Sequence, residues 1–206
     1  MYLTEMVLKP NRVNQLKEAN NLARSHEWFA KSLYINYKKP ERYLWRFDVI
    51  DDDLHAGQKT LKLRLISSEI PLVKILAKYG RENTIKTQVY QPDLTNLQNK
   101  DFKIWVMPSK RIKRTHQQLF LADSDEQQAW FERKAIANGF KVTNISQVKQ
   151  LAVPYQHFNN KSVAKVHLVE YTGKLEVTNL NKFKQALTHG IGRGKCYGLG
   201  MLWIND

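Results

Sequence analysis

The chain has 206 residues, of which 33 are Lys or Arg and 19 Asp or Glu, a formal net charge of +14, with 42% hydrophobic and 11% aromatic content. That apolar share builds the core of one or two compact units and excludes a disordered tail. One cysteine excludes an internal disulfide and a multi-thiolate zinc site, no apolar run approaches the ~18 residues of a membrane span, and the first twenty residues lack a signal-peptide layout.

Tyr2 to Leu8 reads as a first strand, ended by Pro10 and Asn11. From Val13 to Tyr34 the pattern turns helical, with Leu16, Leu22, Phe29 and Leu33 near one face. A charged turn follows, Lys38-Lys39-Pro40-Glu41-Arg42. Tyr43 to Val49 then alternates, Trp45, Phe47 and Val49 against Leu44, Arg46 and Asp48, as a half-buried strand does. Leu61 to Ile66 repeats the alternation, Pro71 to Tyr79 reads as a short helix, and Thr84 to Tyr90 reads as a strand. The order β-α-β-β-α-β is the ferredoxin-like one.

Polar Gln91 to Asn99, with Pro92, makes a boundary, and a similar set then recurs. It comprises a strand at Phe102–Met107, a basic loop, a helix at Asp125–Asn138 with Ala129, Trp130, Ala135 and Ile136 as apolar positions, and strands near 141–147, 150–158, 164–171 and 174–177. A helix at Leu180–His189 and a closing strand over Leu199–Ile204 complete it. The expected architecture is α+β, two tandem ferredoxin-like (RRM-like) domains over residues 1–92 and 98–206. The positive charge is spread over both halves, which points to a polyanionic partner, nucleic acid ahead of membrane; the plainer reading is a merely basic soluble protein.

Five of the nine glycines fall between Thr188 and Ile204. There Gly190, Gly192 and Gly194 alternate with Arg193 and Lys195, so bare N–H groups and cations converge on one small surface suited to phosphate. A P-loop would need glycine where His189 stands, and a dinucleotide loop would need glycine where Lys195 stands. Both also follow a strand and open a helix, whereas here a helix comes first. The structural alternative is a glycine helix cap leading into a close-packed strand.

His26, at the edge of the apolar stripe of the first helix, is the candidate proton carrier, since an imidazole with a reference pKa of ~6.5 exchanges protons near neutrality. The alternative is a packing or surface histidine, which also serves for His55, His116, His157, His167 and His189. Asp51, Asp52, Asp53 and His55 read as a solvated turn rather than a metal site, and no H-E-x-x-H spacing is present. Lys110, Arg111, Lys113 and Arg114 form the densest cationic cluster. Flanked by Trp105 and Phe120, it suits a nucleic-acid backbone or groove, or else is a solvated loop.

The opening Met1-Tyr2-Leu3-Thr4, His26, the run Asp125 to Lys134, Gly173 to Val177 and above all His189 to Leu202 resemble the CasE family of CRISPR-RNA processing endoribonucleases of type I-E systems. The resemblance runs in order along the whole chain. It implies two ferredoxin-like domains and a cut at the base of the CRISPR repeat hairpin without metal or cofactor. The ribose 2′-hydroxyl attacks the adjacent phosphate, leaving a 2′,3′-cyclic phosphate and a 5′-hydroxyl. It further implies a cytoplasmic protein, monomeric when free, that stays on the mature crRNA as a subunit of Cascade with other subunits as partners. His26 matches the family's helix histidine, as base or acid, and Lys31 matches a lysine that stabilises the phosphorane. On an ideal helix Lys31 stands ~140° around from His26, so the two meet only if the helix ends or bends between them. The Tyr155–Lys165 region corresponds to a hairpin that grips the RNA stem, making Lys161 and Lys165 RNA-binding candidates.

The chain departs from the family pattern twice. Ala23 stands where some relatives have tyrosine, a role that Tyr34 or Tyr37 could take, and Lys103-Ile104-Trp105-Val106-Met107-Pro108 replaces an arginine-rich strand running into Asn-Pro. The first departure gives weight to a second reading, a non-catalytic RNA-hairpin-binding subunit of a CRISPR ribonucleoprotein. A third, a ribosome-associated double-ferredoxin protein, is disfavoured by the glycine-rich ending.

Overall fold

The structure, a computed structural model, describes residues 1–9, 22–33, 43–51, 59–155 and 164–204. By contact it forms two units: Met1–Gln91 with Val153–Lys165 and Cys196–Gly198, and Pro92–Ala152 with Val166–Lys195 and Leu199–Asp206. Tyr34, Tyr37, Asp52, Asp53, His55, His157 and Lys161 lie outside the described residues.

The first unit runs β1 (Tyr2–Val7), α1 (Leu22–Leu33), β2 (Tyr43–Asp51), β3 (Lys59–Ser67), α2 (Val73–Leu76) and β4 (Lys86–Val89). Its antiparallel sheet has the order β2-β3-β1-β4, the ferredoxin-like arrangement expected from the element order. Ser25, Phe29, Ser32 and Leu33 are buried on α1, spaced so that they share one stripe of the helix. Phe29 meets the Trp45 ring at 4.8 Å and the Phe47 ring at 6.0 Å. Burial of each such aromatic contributes about 1.5–3 kcal/mol.

Alternation along β2 predicts one solvated face, but Leu44 to Asp48 are all buried and Val49 is exposed. The charged face stays dry because its charges are paired. Arg46 Nη2 lies 2.7 Å from Asp48 Oδ1, Asp48 also pairs with Arg64, and Arg64 Nε lies 3.0 Å from Glu5. Pairing of this kind is what lets a buried charge persist. The expected helix at Pro71–Tyr79 shrinks to the four residues of α2, and the strand expected from Thr84 starts at Lys86, after a 3₁₀ turn at Glu82–Thr84.

The second unit runs β5 (Lys100–Val106), β6 (Ser109–Arg111), β7 (Gln118–Phe120), α3 (Ser124–Ala137), β8 (Phe140–Tyr155), β9 (Ala164–Val177), α4 (Leu180–His189) and β10 (Trp203–Ile204), the end of β8 from Val153 and the start of β9 to Lys165 grouping with the first unit. Its main sheet has the order β10-β5-β9-β8. Counting only those four strands, this is the same topology as the first unit, with a β6–β7 hairpin inserted before α3. Lys100 opens β5 with its ammonium 2.8 Å from Asp93 Oδ2. That contact, with Thr95, holds the Asp93 carboxyl well below the usual carboxylate range.

Asp123 caps α3, its carboxylate accepting from the N–H groups of Asp125 and Glu126 at 3.0 and 2.9 Å. The buried positions of α3 are Gln127, Trp130, Phe131 and Ala135, while Ala129 and Ile136 face solvent, against expectation. Gln127 is buried because its Nε2 donates to the Leu121 carbonyl at 2.8 Å.

Two strand pairs expected to be separate are continuous, as β8 and β9. Gly173 does not interrupt β9. It pairs with Phe102 of β5, and a Cβ there would come within 2.0 Å of the Asn144 carbonyl oxygen, so the missing side chain admits the neighbouring backbone. The expected closing strand is short for a related reason. Gly200, at φ +77, donates to the Trp105 carbonyl at 2.6 Å and its own carbonyl accepts from Ile191, which makes it a crossing point rather than a ladder position.

Candidate functional site

In the first unit, α1 presents His26 one residue past buried Ser25, at the margin of its buried stripe. The imidazole is half-buried. Its Nδ1 is hydrogen-bonded to the hydroxyl of Tyr43, the first residue of β2, and the two rings lie near-parallel with centroids 5.7 Å apart. Tyr197 meets the same imidazole edge-on, at 5.9 Å and 77°.

Tyr197 belongs to the glycine-rich ending, and local packing explains its place. The Trp45 indole N–H donates to the Cys196 carbonyl at 3.0 Å. Gly198, at φ +79, lies flat on the same indole, where a Cβ would sit 2.9 Å from a ring carbon. Only glycine fits both the left-handed backbone and the ring, and the segment so pinned sets Tyr197 against His26. Lys31 is exposed, and because α1 is continuous from Leu22 to Leu33 it stands ~140° around the helix from His26.

The basic cluster of the second unit is split by the β6–β7 hairpin, where a loop was expected. Lys110 and Arg111 are on β6, whereas Lys113 and Arg114 are exposed in the turn, which is closed by Ile112 N–H donating to the Gln117 carbonyl at 2.9 Å. Lys110 pairs with Glu126 at 3.0 Å, both half exposed, so the pair contributes about 0–1 kcal/mol.

Arg111 lines a groove of about 530 Å³ together with Arg193, Lys195, Lys134, Asn138 and Trp130. Gly190 and Gly192, both at positive φ, supply backbone to the same groove. Lys134 Nζ lies 5.7 Å from the Trp130 ring centre. Four cations and no carboxylate among the lining residues make this groove electropositive, the chemistry that suits an anion such as phosphate. Gly194 is at φ +74 beside Leu199, Lys165 is exposed on β9, and neither lines the groove.

Of the other described histidines, His116 sits in the hairpin turn at φ 56, His167 lies 5.6 Å from Phe120, and His189 Nδ1 is 2.8 Å from the Thr188 hydroxyl. Tyr43, Tyr197, Lys134 and Asn138 join the two sites without having been found from sequence. Only Tyr197 carried a signal, its place among the glycines. Among the described residues, no helix is long and apolar enough to cross a membrane.

Comparison with known proteins follows the same lines. A family model described as CRISPR associated protein matches residues 1–205. The chain is 24% identical over 222 residues to the CRISPR-associated endoribonuclease Cse3 of Thermus thermophilus, covering 99% of each chain. It superposes on a structure of CRISPR endoribonuclease Cse3 bound to 19 nt RNA with a TM-score of 0.77 at 24% identity, over 100% of both chains. A chain of a CRISPR RNA-guided surveillance complex matches with a TM-score of 0.63 at 19% identity, over 99% of this chain and 98% of that one.

Proposed function

The chain belongs to the CRISPR-associated protein family, and from that membership we propose that it is an endoribonuclease. It binds the stem-loop of CRISPR repeat RNA, cuts at its base, and remains on the product as a subunit of a Cascade-type complex. The observation that carries the reading is His26, hydrogen-bonded to Tyr43 of β2 and met edge-on by Tyr197 of the glycine-rich ending, which Gly198 seats against Trp45. A relative named as an endoribonuclease matches over its full length, and a chain from a surveillance complex shares the fold.

The chemistry is a transesterification within the RNA. The 2′-hydroxyl oxygen bonds to the adjacent phosphorus as its proton leaves, the bond from phosphorus to the 5′ oxygen breaks, and that oxygen takes up a proton. The products are a 2′,3′-cyclic phosphate and a 5′-hydroxyl. His26 supplies one of the two proton transfers, as base to the 2′ oxygen or as acid to the 5′ oxygen. A positioned group in either role contributes about 10²–10⁴-fold. Lys31 is carried as a stabiliser of the phosphorane on the family resemblance alone, because the continuous α1 turns it ~140° away from His26. No step of this sequence requires a divalent ion.

RNA binding rests on Arg111, Arg193 and Lys195 in the groove, where Gly190, whose N–H is taken by the Ala186 carbonyl, and Gly192 leave room for a close approach, with Gly194 on the same loop and Lys110, Lys113, Arg114 and Lys165 as further phosphate contacts. Lys161 is carried as a further contact on sequence grounds alone.

The test is incubation of the protein with repeat RNA in EDTA, beside the same RNA bearing a 2′-deoxy substitution at the cut site. Cleavage of the first and not the second is expected. Cutting of the deoxy substrate, or cutting that needs added metal, overturns the mechanism. Tight binding of both RNAs with no cutting points to a hairpin-holding subunit.

A further inference from the structure

We propose that Tyr43 is a positioning residue: its hydroxyl oxygen accepts the Nδ1 proton of His26 and thereby fixes Nε2 as the atom that exchanges a proton with RNA. The inference rests on the role given to His26 above, and it adds the tautomer and the group that sets it.

The geometry carries most of the argument. Tyr43 is anchored by its backbone, which pairs with Ser67 as the first rung of the β2–β3 ladder. His26 is anchored by α1, whose neighbouring Ser25 and Phe29 are buried. The hydrogen bond from one to the other therefore links two fixed elements across 17 residues of chain. The contacts with Tyr43 and Tyr197 bear on the imidazole from two directions and fix its plane, and within that plane a turn of the ring by 180° would lose the Nδ1 hydrogen bond.

The chemistry decides which way the hydrogen bond runs. A phenol both donates and accepts. If the Tyr43 hydroxyl donated to Nδ1, the neutral ring would carry its proton on Nε2 and could take none from a 2′-hydroxyl there. If Tyr43 accepts from Nδ1–H, Nε2 cycles between lone pair and N–H while Nδ1 keeps its proton throughout. That second arrangement serves a base and an acid equally, because the imidazolium and the neutral ring then differ only at Nε2. The partner of one ring nitrogen thus sets what the other can do. A phenol differs from a carboxylate partner in bringing no charge, so it orients the ring without fixing its protonation state.

The experiment is ¹⁵N NMR of the His26 ring in the full-length protein, at a pH where the imidazole is neutral, in the wild type and in Tyr43→Phe. Single-turnover cleavage and RNA affinity are measured on the same samples. The wild type is expected to show the Nδ1–H tautomer. Tyr43→Phe keeps the ring and the stack and is expected to lose that preference. Its cleavage rate constant should fall about 10–150-fold, the worth of one hydrogen bond to a group that becomes charged, with the RNA dissociation constant and thermal midpoint unchanged.

An Nε2–H wild-type ring overturns the proposal whether or not the variant folds. So does a Tyr43→Phe variant that cuts at the wild-type rate, or one whose loss lies wholly in binding. Wild-type protein that cuts no repeat RNA removes the proposed function instead, and the tautomer measurement still reads out the Tyr43–His26 pair.

Discussion

α1 and α3 occupy the same step of one topology, the crossover between the first two strands of their sheet, yet they present different chemistry. α1 buries Phe29 and Leu33 and places a half-buried imidazole at the edge of that stripe, where two tyrosines restrain it. α3 buries Phe131 and Ala135 and offers Lys134, over the ring of Trp130, to an anion groove. The first helix needs one atom in one place; the second needs charge near a surface. Proton transfer tolerates little displacement, whereas phosphate attraction decays slowly with distance. The first site is accordingly built from half-buried rings backed by buried residues, and the second mainly from exposed cations around buried Trp130.

The difference is broken most severely at Gly198. Gly198→Val forces a side chain into the Trp45 ring from a backbone at φ +79. The expected cost is about 2–5 kcal/mol in urea unfolding, from backbone strain and overpacking together. Cleavage should fall about a hundredfold as Tyr197 is moved off His26. A stable variant of normal activity would show that the ending does not position the imidazole.

The groove should answer in another currency. Arg111→Ala with Arg193→Ala is expected to weaken binding of all RNA hairpins alike and to reduce the slope of log K against log salt by about 1.4–1.8, from ~0.7–0.9 per phosphate contact. Once the RNA is saturated, the cleavage rate constant should be unchanged. An unaltered slope would return both arginines to solvent. Lys110→Ala should change the slope less than either arginine, since Lys110 is already engaged by Glu126.

The smallest effect concerns neither site. Tyr171 is stacked on Phe131 at 4.5 Å with its hydroxyl buried and without a hydrogen-bond partner among the described residues. Burial, with Glu132 nearby, pushes its pKa from 10.0 up to about 12. A group whose folded pKa is raised favours the fold fully below its unfolded pKa, and that contribution is lost as pH climbs through the folded one. Stability should therefore decline between pH 10.0 and about 12 in part through this residue. Tyr171→Phe should be neutral or more stable by ~1 kcal/mol at pH 7, because it deletes an unsatisfied hydroxyl, and should flatten that alkaline decline. A variant less stable at pH 7 would mean that the hydroxyl is satisfied.

Element order was legible in the sequence because alternation and helical spacing report which faces are buried. Both ferredoxin-like units follow from it, down to the strand order that their connections require. What pattern could not show depends on partners distant in sequence. Arg46 and Asp48 are buried as a pair on β2, with Arg64 of β3, itself held by Glu5 of β1, as a second partner of Asp48. β9 runs through Gly173 because another backbone lies against it. Tyr43 opens a strand after a charged stretch of sequence and carries no local sign of the imidazole it meets. His26 could be named from its helix and its family resemblance, but the group that orients it could not.

The central claim is that one imidazole on α1 moves a proton during strand scission. It is tested most directly by single-turnover cleavage of repeat RNA in EDTA by His26→Ala beside the wild type, with affinity measured in parallel. The expected result is a loss on the order of 10³-fold in the rate constant, binding within about twofold because the phosphate contacts are untouched, and a 2′,3′-cyclic phosphate on the wild-type product. A variant that cuts at the wild-type rate, or a wild-type product ending in a 3′-hydroxyl, would contradict it.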